Sequence, residues 1–452
     1  MCKKTSFCGV AAGDKIPQSV GCNPSRDHLR PLDYRTMLQR KAHPLAEQIM
    51  LVSISGQDKP GLMSALMAIC VEFDAQILDM GQAVIHDELA LGLLLSSAKS
   101  DALRQAITAR CSDVGSALRL QTVDADDYGT WAKSIFASPL ILTLLTNGSA
   151  AEPLQAVSAL THAWQMNIDT VRRLTKPRAL MDVSGAGERF GVEMRLSGEL
   201  ANSVEFQTEL LKLADQNDFD VSLQRDSVFR RNRRLVAFDM DSTLIAEEVM
   251  DELAKRHGVG DKVVAITDAA MAGQLDFKES FRQRAALLEG LPLQVLHEVA
   301  ESVALNTGAR RLIKALKHFG YTVAVFSGGF QYVGEYLQQE LGIDHVFANE
   351  LEEVDGVMTG KVIGDIVDAQ RKAELLRQIA VKENISLAQT IAVGDGANDL
   401  PMLQQAGLGV AYHAKTIVRE NAKHAISNFG LDAILYLIGF SDLDIEQALT
   451  RD

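Results

Sequence analysis

The sequence predicts an α/β protein, with a parallel sheet and a small helical cap in its C-terminal half and two α+β units before them. Short apolar runs recur after residue 235, each followed by a polar or glycine-rich turn and a helical stretch, as in buried parallel strands. The order strand, turn, helix, strand occurs at residues 49–79 and again at residues 140–169, which indicates a repeated unit. With 452 residues, the chain is also too long for one ordinary hydrophobic core.

The composition narrows the partners of the protein. A hydrophobic content of 47% and a charged content of 23% are typical of a globular protein. The net charge of -14 argues against nucleic acid and anionic membranes as partners. No run approaches the roughly 20 apolar residues of a membrane-spanning helix. The five cysteines are scattered, without a metal-binding or disulfide spacing, which favours a cytoplasmic location.

Two segments are predicted to lie outside the folded units. Residues 1–45 contain several prolines and lack a sustained apolar period, so we expect a poorly ordered N-terminal extension. Residues 230–234 read Arg-Arg-Asn-Arg-Arg. Because no aromatic residues are interleaved with these basic side chains, we interpret the segment as a solvated linker and not as a nucleic-acid-binding site.

Residues 46–125 form the first predicted α+β unit. Ile49–Ile54 is strand-like, and Leu62–Phe73 carries apolar residues at helical spacing. Between them, the Asp-Lys-Pro-Gly turn at residues 58–61 resembles a turn of the ACT domain, a small ferredoxin-like module that often binds amino acids. The resemblance implies an amino-acid effector at this unit. It also implies a homodimer, since such modules commonly pair across subunits.

Residues 136–228 repeat the order β-α-β-β-α-β. Leu140–Leu145 and Gly191–Leu196 are strand-like, whereas Pro153–Trp164 and Ser203–Gln216 are helix-like. This copy lacks the Asp-Lys-Pro-Gly turn, so we interpret it as a second, degenerate ACT-like domain. For both copies the alternative is a packing or dimerisation module without a ligand, because a fold alone does not determine function.

Two aspartates follow the first strand of the C-terminal half. Leu235–Phe238 is apolar, and Asp239 and Asp241 come after it. Carboxylates at a strand end are costly unless something uses them, and ligands of parallel sheets bind beyond the carboxyl ends of the strands. One carboxylate would attack phosphorus while the other handles the proton of the leaving group. A purely metal-binding role, or the capping of a helix, would explain the same pair.

The end of the second strand offers groups that suit a phosphate. Thr322–Phe326 is followed by Ser327 and Gly328, whose hydroxyl and backbone N–H would hold phosphate oxygens. Lys372, near a predicted helix start, would neutralise the charge of a transferring phosphoryl group.

The end of the third strand offers oxygen ligands. Thr390–Val393 is followed by Asp395, Asn398 and Asp399, with glycines that permit a close approach. Hard oxygen ligands of this kind suit Mg²⁺, which also retains waters and a substrate phosphate.

Together these four motifs resemble those of the haloacid dehalogenase (HAD) superfamily, over residues 235 to about 440. The resemblance implies a HAD-type Rossmann-like parallel sheet at residues 235–452, with a helical cap at about residues 247–305. It implies an aspartyl-phosphate on Asp239, with Asp241 as proton donor and acceptor. The implied phosphate-binding groups are Ser327, Gly328, Lys372 and Asn398. The implied ligands of Mg²⁺ are Asp239, the backbone carbonyl of Asp241, and Asp395.

The segment between the first two strands narrows the substrate. The pattern around Glu248 and Arg284 resembles the cap of phosphoserine phosphatases, where a carboxylate would meet the ammonium of serine and a guanidinium its carboxylate. This implies hydrolysis of O-phospho-L-serine to L-serine and phosphate, the last step of serine biosynthesis. Taken singly, either residue would fit a solvated helix face. The alternative functions are a HAD phosphatase for another small phosphomonoester and an amino-acid-sensing protein whose catalytic half is only a scaffold.

Overall fold

The computed structural model describes residues 48–134, 139–177 and 189–450, and the chain divides into two compact units, Met1–Ile135 and Phe136–Asp452. The predicted extension at residues 1–45 lies outside the described residues. Among the helices of the described ranges, none combines the length and the apolar character that crossing a bilayer requires.

The first unit folds as the predicted β-α-β-β-α-β order with one further helix. Its elements are β1 (Gln48–Gln57), α1 (Leu62–Glu72), β2 (Gln76–Ile85), β3 (Glu88–Ser97), α2 (Ser100–Val114), β4 (Ala117–Val123) and α3 (Ala125–Ser134). The sheet is antiparallel, in the order β2-β3-β1-β4. Alternate residues of the central strands pack on α1 and α2, with Val52, Leu66, Leu93 and Ile107 in the core. Gly61 precedes α1 with φ +92, a conformation that favours glycine.

The second copy has the same order of elements. They are β5 (Leu140–Asn147), α4 (Ala151–Ala163), β6 (Asn167–Arg173), β7 (Arg189–Ser197), α5 (Ser203–Gln216) and β8 (Phe219–Arg225). Asn202 caps α5, since its side chain accepts the N–H groups of Val204 and Glu205. The strands pair antiparallel in the order β8-β5-β7-β6.

The remaining elements build the predicted parallel sheet and its cap. They are α6 (Val228–Arg231), β9 (Leu235–Phe238), α7 (Val249–Arg256), α8 (Gly260–Met271), α9 (Phe277–Ala286), α10 (Leu293–Ser302), α11 (Ala309–His318), β10 (Thr322–Phe330), α12 (Gln331–Leu341), β11 (His345–Val354), β12 (Val357–Ile363), α13 (Ala369–Lys382), β13 (Thr390–Gly394), α14 (Leu400–Gln405), β14 (Leu408–Tyr412), α15 (Thr416–Asn421), β15 (His424–Ile426), α16 (Ala433–Leu437) and α17 (Asp442–Thr450). The predicted fold class is confirmed. Helices α7 to α10 lie between β9 and β10 in the chain and form the cap.

The second copy and the parallel sheet are one continuous structure. The strands of the larger sheet follow the order β12-β11-β10-β9-β13-β14-β15-β8-β5-β7-β6, and β15 pairs with β8 antiparallel through Ala425 and Val221. The residues that end β9 and its two parallel neighbours, β10 and β13, therefore meet at one edge of the sheet. This edge is where Asp239, Ser327 and Asp395 lie.

The prediction of a solvated linker at residues 230–234 is wrong for two of its arginines. Arg230 is buried and pairs with Glu193 of β7 at 2.6 Å. Arg233 is also buried and donates to the Gln224 side chain at 2.9 Å. The segment connects β8 to β9 of the same sheet, so these two side chains lie against acceptors of the sheet, Glu193 and Gln224.

Candidate active site

Asp239 lies at the carboxyl end of β9, next to a cation. Its side chain accepts the N–H of Met240 at 2.7 Å, and Lys372 Nζ lies 2.7 Å from its Oδ1. Only 5% of the residue is exposed. Burial raises the pKa of Asp239, as does the Asp399 carboxylate, whereas Lys372 opposes this shift. The carboxyl therefore needs positive charge nearby to remain ionised.

Asp241 is held at both carboxyl oxygens. Its Oδ1 accepts the N–H of Val249 at 3.0 Å, and its Oδ2 accepts the hydroxyl of Ser327 at 3.0 Å. Burial, with a further contribution from Glu248, raises the pKa of Asp241 to about 6. A carboxyl with a pKa near neutrality can both give and take a proton under physiological conditions.

The last part of β10, where the pairing with β11 is irregular between Phe326 and Phe330, places backbone close to Asp241. Ser327 is fully buried, and its hydroxyl accepts the N–H of Gly329 at 2.7 Å while donating to Asp241. A Cβ on Gly329 would lie 2.3 Å from Asp241 Oδ2, so this approach requires glycine. Gly328 and Gly329 line the cavity described below, whereas Ser327 is not among the residues that line it.

Lys372 links Asp239, at the end of β9, to Asp399, which follows β13. It lies in the first turns of α13, which begins after the capping residue Asp368, and it is fully buried. Its ammonium contacts Asp239 at 2.7 Å and Asp399 at 2.8 Å. Burial works against the charge of Lys372, but the two carboxylates outweigh it and raise its pKa. The lysine therefore stays cationic beside Asp239.

Three carboxylates form a cluster that would suit a cation. Oxygens of Asp239, Asp395 and Asp399 all lie within 4.8 Å of one another. Thr243 donates its hydroxyl to Asp395 at 2.8 Å, and burial raises the pKa of Asp395 to about 6. Repulsion within such a cluster is relieved when a metal ion binds, and carboxylate oxygens are the ligands that Mg²⁺ prefers.

One cavity connects these groups to the cap. It has a volume of about 230 Å³ and is lined by Asp239, Asp241, Glu248, Met250, Phe277, Phe281, Arg284, Gly328, Gly329, Asp395 and Asn398. This volume lies below the roughly 300–1,000 Å³ of pockets for drug-sized ligands, so the cavity fits a small metabolite. The side chains of α9 thus close the site from the cap side.

The cap contributes one acidic side chain, Glu248, and one basic side chain, Arg284, to the cavity. Glu248 accepts the hydroxyl of Ser242 at 2.7 Å. Arg284 lies near the Phe281 ring, with 6.0 Å from Cζ to the ring centroid, and its buried Nε has no hydrogen-bond partner in the described part of the chain. Burial lowers the pKa of Arg284, although a guanidinium remains charged. This Nε–H donor is available to an anionic ligand.

The structure thus brings the predicted residues to one edge of the sheet, with Ser327 and Lys372 buried behind the cavity wall. Sequence reasoning missed three residues around them. Thr243 completes an Asp-x-Asp-x-Thr pattern that begins at Asp239, and its role could have been inferred from this pattern. Asn349, which donates to the Gly328 carbonyl at 2.8 Å, and Asn306, which contacts the turn after Asp241, leave no recognisable signal in a single sequence.

Known proteins resemble the chain over nearly its full length. The family model of haloacid dehalogenase-like hydrolases matches residues 236–404, and that of the ACT domain matches residues 48–121. A phosphoserine phosphatase of Mycobacterium tuberculosis is 38% identical over 413 residues, which is 90% of this chain and 97% of that protein. A phosphoserine phosphatase of Streptomyces coelicolor is 38% identical over 401 residues, or 89% of this chain and 94% of its own.

Solved structures resemble the chain in fold. The unliganded probable phosphoserine phosphatase of Vibrio cholerae is 30% identical, with a TM-score of 0.53, and the match covers 68% of this chain and 88% of that one. A HAD family hydrolase of Salmonella enterica serovar Typhi is 31% identical, with a TM-score of 0.56, over 66% of this chain and 99% of that one. The chain therefore belongs to the phosphoserine phosphatase family of haloacid dehalogenase-like hydrolases and carries an ACT domain before its catalytic part.

Proposed function

We propose that this protein hydrolyses O-phospho-L-serine to L-serine and phosphate, the last step of serine biosynthesis. The observation that carries the proposal is the cavity of about 230 Å³ that Asp239, Asp241, Glu248 and Arg284 line together. In this cavity Asp239 would be the nucleophile and Asp241 the proton donor. The carboxylate of Glu248 and the guanidinium of Arg284 match the ammonium and the carboxylate of a zwitterionic substrate. The names of the full-length relatives support the same substrate.

The first step is the transfer of the phosphoryl group to Asp239. A carboxylate oxygen forms a bond to phosphorus while the bond from phosphorus to the serine oxygen breaks. Asp241, with its pKa raised to about 6, gives its proton to the departing oxygen, so that serine leaves as the neutral alcohol. The product on the enzyme is an aspartyl-phosphate.

The second step is hydrolysis of this aspartyl-phosphate. Asp241, now ionised, takes a proton from a water molecule as that water attacks phosphorus. Phosphate leaves, and Asp239 is regenerated as a carboxylate. Asp241 keeps its orientation through both steps because Val249 and Ser327 hold its two oxygens.

The phosphoryl charge is balanced by groups fixed before the substrate arrives. Lys372 supplies a buried cation next to Asp239, and the Gly328 N–H and the Asn398 amide supply donors at the cavity wall. The Ser327 hydroxyl has one hydrogen, which it donates to Asp241, so it would donate to a phosphate oxygen only by giving up that hydrogen bond. Preorganised charge of this kind is the main protein contribution to phosphoryl transfer.

The donor set fits Mg²⁺. Asp239, the Asp241 carbonyl and Asp395 would hold the ion, with Asp399 fixed behind them by Lys372 and the Gly396 N–H. Burial, and after it the neighbouring Asp399 carboxylate, raises the pKa values of Asp239 and Asp395, which is the physical argument for a cation there. When bound, the ion would supply positive charge to the phosphoryl oxygens and keep these carboxyls ionised.

The experiment that tests the reaction compares two aspartate-to-asparagine variants. Wild-type protein with Mg²⁺ should release phosphate from O-phospho-L-serine, and Asp239→Asn should release none while unfolding at a similar temperature. Asp355→Asn is the matched control and should keep wild-type activity. Asp355 is an exposed turn residue at φ +52, a backbone conformation that asparagine also adopts. Turnover by Asp239→Asn would remove Asp239 as the nucleophile, and no release by the wild type would remove phosphoserine as the substrate.

The ACT domain supports a regulatory role for the first unit. We propose that an amino acid binds near the turn at residues 58–61, that the protein is a homodimer and that it acts in the cytoplasm. The match to the ACT family and the cysteine distribution support these proposals. Because serine is also the reaction product, the titration uses Arg284→Met, whose active site no longer holds the serine carboxylate. L-serine should raise the melting temperature of Arg284→Met but not of Arg284→Met with Asp58→Ala, and light scattering should give twice the mass of one chain. A flat titration or a monomer mass would contradict them.

A further inference from the structure

The turn that follows the nucleophile is a wide loop with an unfavourable residue in it. Residues Met240–Leu244 form a single π-type turn, closed by the Ile245 N–H, which donates to the Met240 carbonyl at 3.0 Å. Ser242 lies within it at φ +57, a left-handed conformation that costs about 1–2 kcal/mol outside glycine. This turn therefore needs contacts from outside to keep its shape.

Asn306 donates hydrogen bonds to backbone carbonyls of this turn, whereas Glu248, Val249 and Ser327 contact its side chains. The Asn306 carboxamide Nδ2 donates to the carbonyls of Thr243 at 2.8 Å, Ile245 at 3.0 Å and Ser242 at 3.3 Å. Its backbone N–H donates to the Leu244 carbonyl at 3.0 Å. Four consecutive carbonyls of the turn thus accept from a single residue. An amide group with two hydrogens serves three of them, so the longest contact shares a hydrogen.

Asn306 stands where the cap returns to the catalytic sheet. It follows α10 and precedes α11, and its neighbour Leu305 forms an isolated bridge with Ile245. Next to this bridge, the Ala246 N–H donates to the Ala304 carbonyl at 2.9 Å. The two chain segments that connect the cap to the sheet therefore run side by side, and Asn306 attaches them to the turn.

We infer that Asn306 is a positioning residue for the proposed reaction, acting through the turn at Met240–Leu244. The turn carries Asp241 on one side of Ser242 and Thr243, which holds Asp395, on the other. Both site carboxyls would shift if the turn relaxed. A displacement of about 1 Å at a reacting group can cost about 100-fold in rate. The inference rests on the proposed function for its kinetic test and on the fold alone for its structural test.

Asn306→Asp and Asn306→Ala separate positioning from packing. Aspartate keeps the shape of asparagine but replaces the N–H donors by oxygens that face carbonyls, whereas alanine only removes them. We expect kcat for O-phospho-L-serine to fall about 10–100-fold in both variants, and further for aspartate, while KM changes less than about threefold because Arg284 and the α9 ring residues are untouched. Asn202→Ala is the matched control, because it removes an asparagine that organises the exposed start of α5.

A second measurement does not depend on the substrate. Amide hydrogen exchange at residues 240–246 should quicken in both Asn306 variants and stay unchanged in Asn202→Ala. The inference would be overturned if the Asn306 variants exchanged as slowly as the wild type and kept kcat within twofold of it. It would also be overturned if Asn306→Asp were as active as the wild type. If the wild type itself released no phosphate from phosphoserine, the proposed function would fail. Hydrogen exchange and the hydrolysis of p-nitrophenyl phosphate would then decide the role of Asn306 independently.

Discussion

His424 should make the fold sensitive to acid. It lies on β15, the strand that joins the catalytic sheet to β8, and only 4% of it is exposed. Its Nδ1 lies 2.9 Å from the Ser222 hydroxyl, which also accepts from Gln224 at 3.0 Å. This arrangement lets the Ser222 hydroxyl donate to a neutral ring. Burial, with contributions from the Arg233 and Lys423 charges, lowers the pKa of His424 to about 3.

The size of the effect follows from the two pKa values. In the unfolded chain the imidazole titrates at about 6.5, so between this pH and about 3 the unfolded state binds a proton that the folded state does not. The free energy of unfolding therefore rises with pH in this window. The contribution of His424 to stability is lost as the pH falls below about 6.5. At about 1.36 kcal/mol per pH unit, His424 should remove about 2 kcal/mol of stability between pH 7 and pH 5.

The assay compares urea unfolding at pH 7 and pH 5 for wild type and His424→Asn. Asparagine can still accept from Ser222 but does not titrate. The chain has two tryptophans, and a Trp131→Phe background leaves Trp164 to report on the second unit by fluorescence. The wild type should lose about 2 kcal/mol more than His424→Asn on acidification, while His318→Asn, at an exposed histidine, should match the wild type. Equal losses in wild type and His424→Asn would refute the reasoning.

Three further changes test the active site. Removal of divalent metal with EDTA should stop phosphate release, and excess Mg²⁺ should restore it and raise the melting temperature; activity in a metal-free sample would contradict the carboxylate site. Arg284→Met should lower kcat/KM for phosphoserine about 10–100-fold but leave phosphoethanolamine, which has no carboxylate, within about threefold; equal losses for both would exclude its role in carboxylate recognition. Gly329→Ala places a Cβ 2.3 Å from Asp241 Oδ2, so it should lower the free energy of unfolding by about 1–3 kcal/mol and abolish most of the turnover. Gly260→Ala, whose Cβ would lie 3.9 Å from the nearest atom, should cause neither loss.

The sequence was most informative where a residue type conflicts with its surroundings. Asp239 and Asp241 stand out because carboxylates rarely follow a buried strand, and the three apolar runs placed Ser327 and Asp395 at the ends of neighbouring strands. Parallel strands of one sheet end at one edge, so their proximity could be predicted without knowing the strand order. The order of elements at residues 49–79 and 140–216 likewise predicted both β-α-β-β-α-β units.

Contacts between distant segments could not be predicted in this way. The pairing of β8 with β15 rests on one residue pair, Ala425 and Val221, and a strand edge carries no sequence mark of its partner. The ion pair of Arg230 could not be predicted either, because its partner Glu193 is 37 residues away in the chain. Asn306 was hidden for the same reason, since its carboxamide acts on carbonyls more than 60 residues earlier.

The join between the second ACT-like copy and the catalytic sheet argues against a hinge at this point. Besides the strand pair, the buried Asp220 of β8 accepts the N–H groups of Ser427 and Asn428 at 2.9 and 3.2 Å, and Arg189 of β7 pairs with the buried Asp432 at 2.5 Å. Separating a buried charge from its partners costs about 3–5 kcal/mol. A rigid-body movement of this copy would have to break several such contacts at once. An effector that alters turnover is therefore expected to act through the first unit, where the Asp-Lys-Pro-Gly turn lies, whereas the strands of the second copy continue the catalytic sheet.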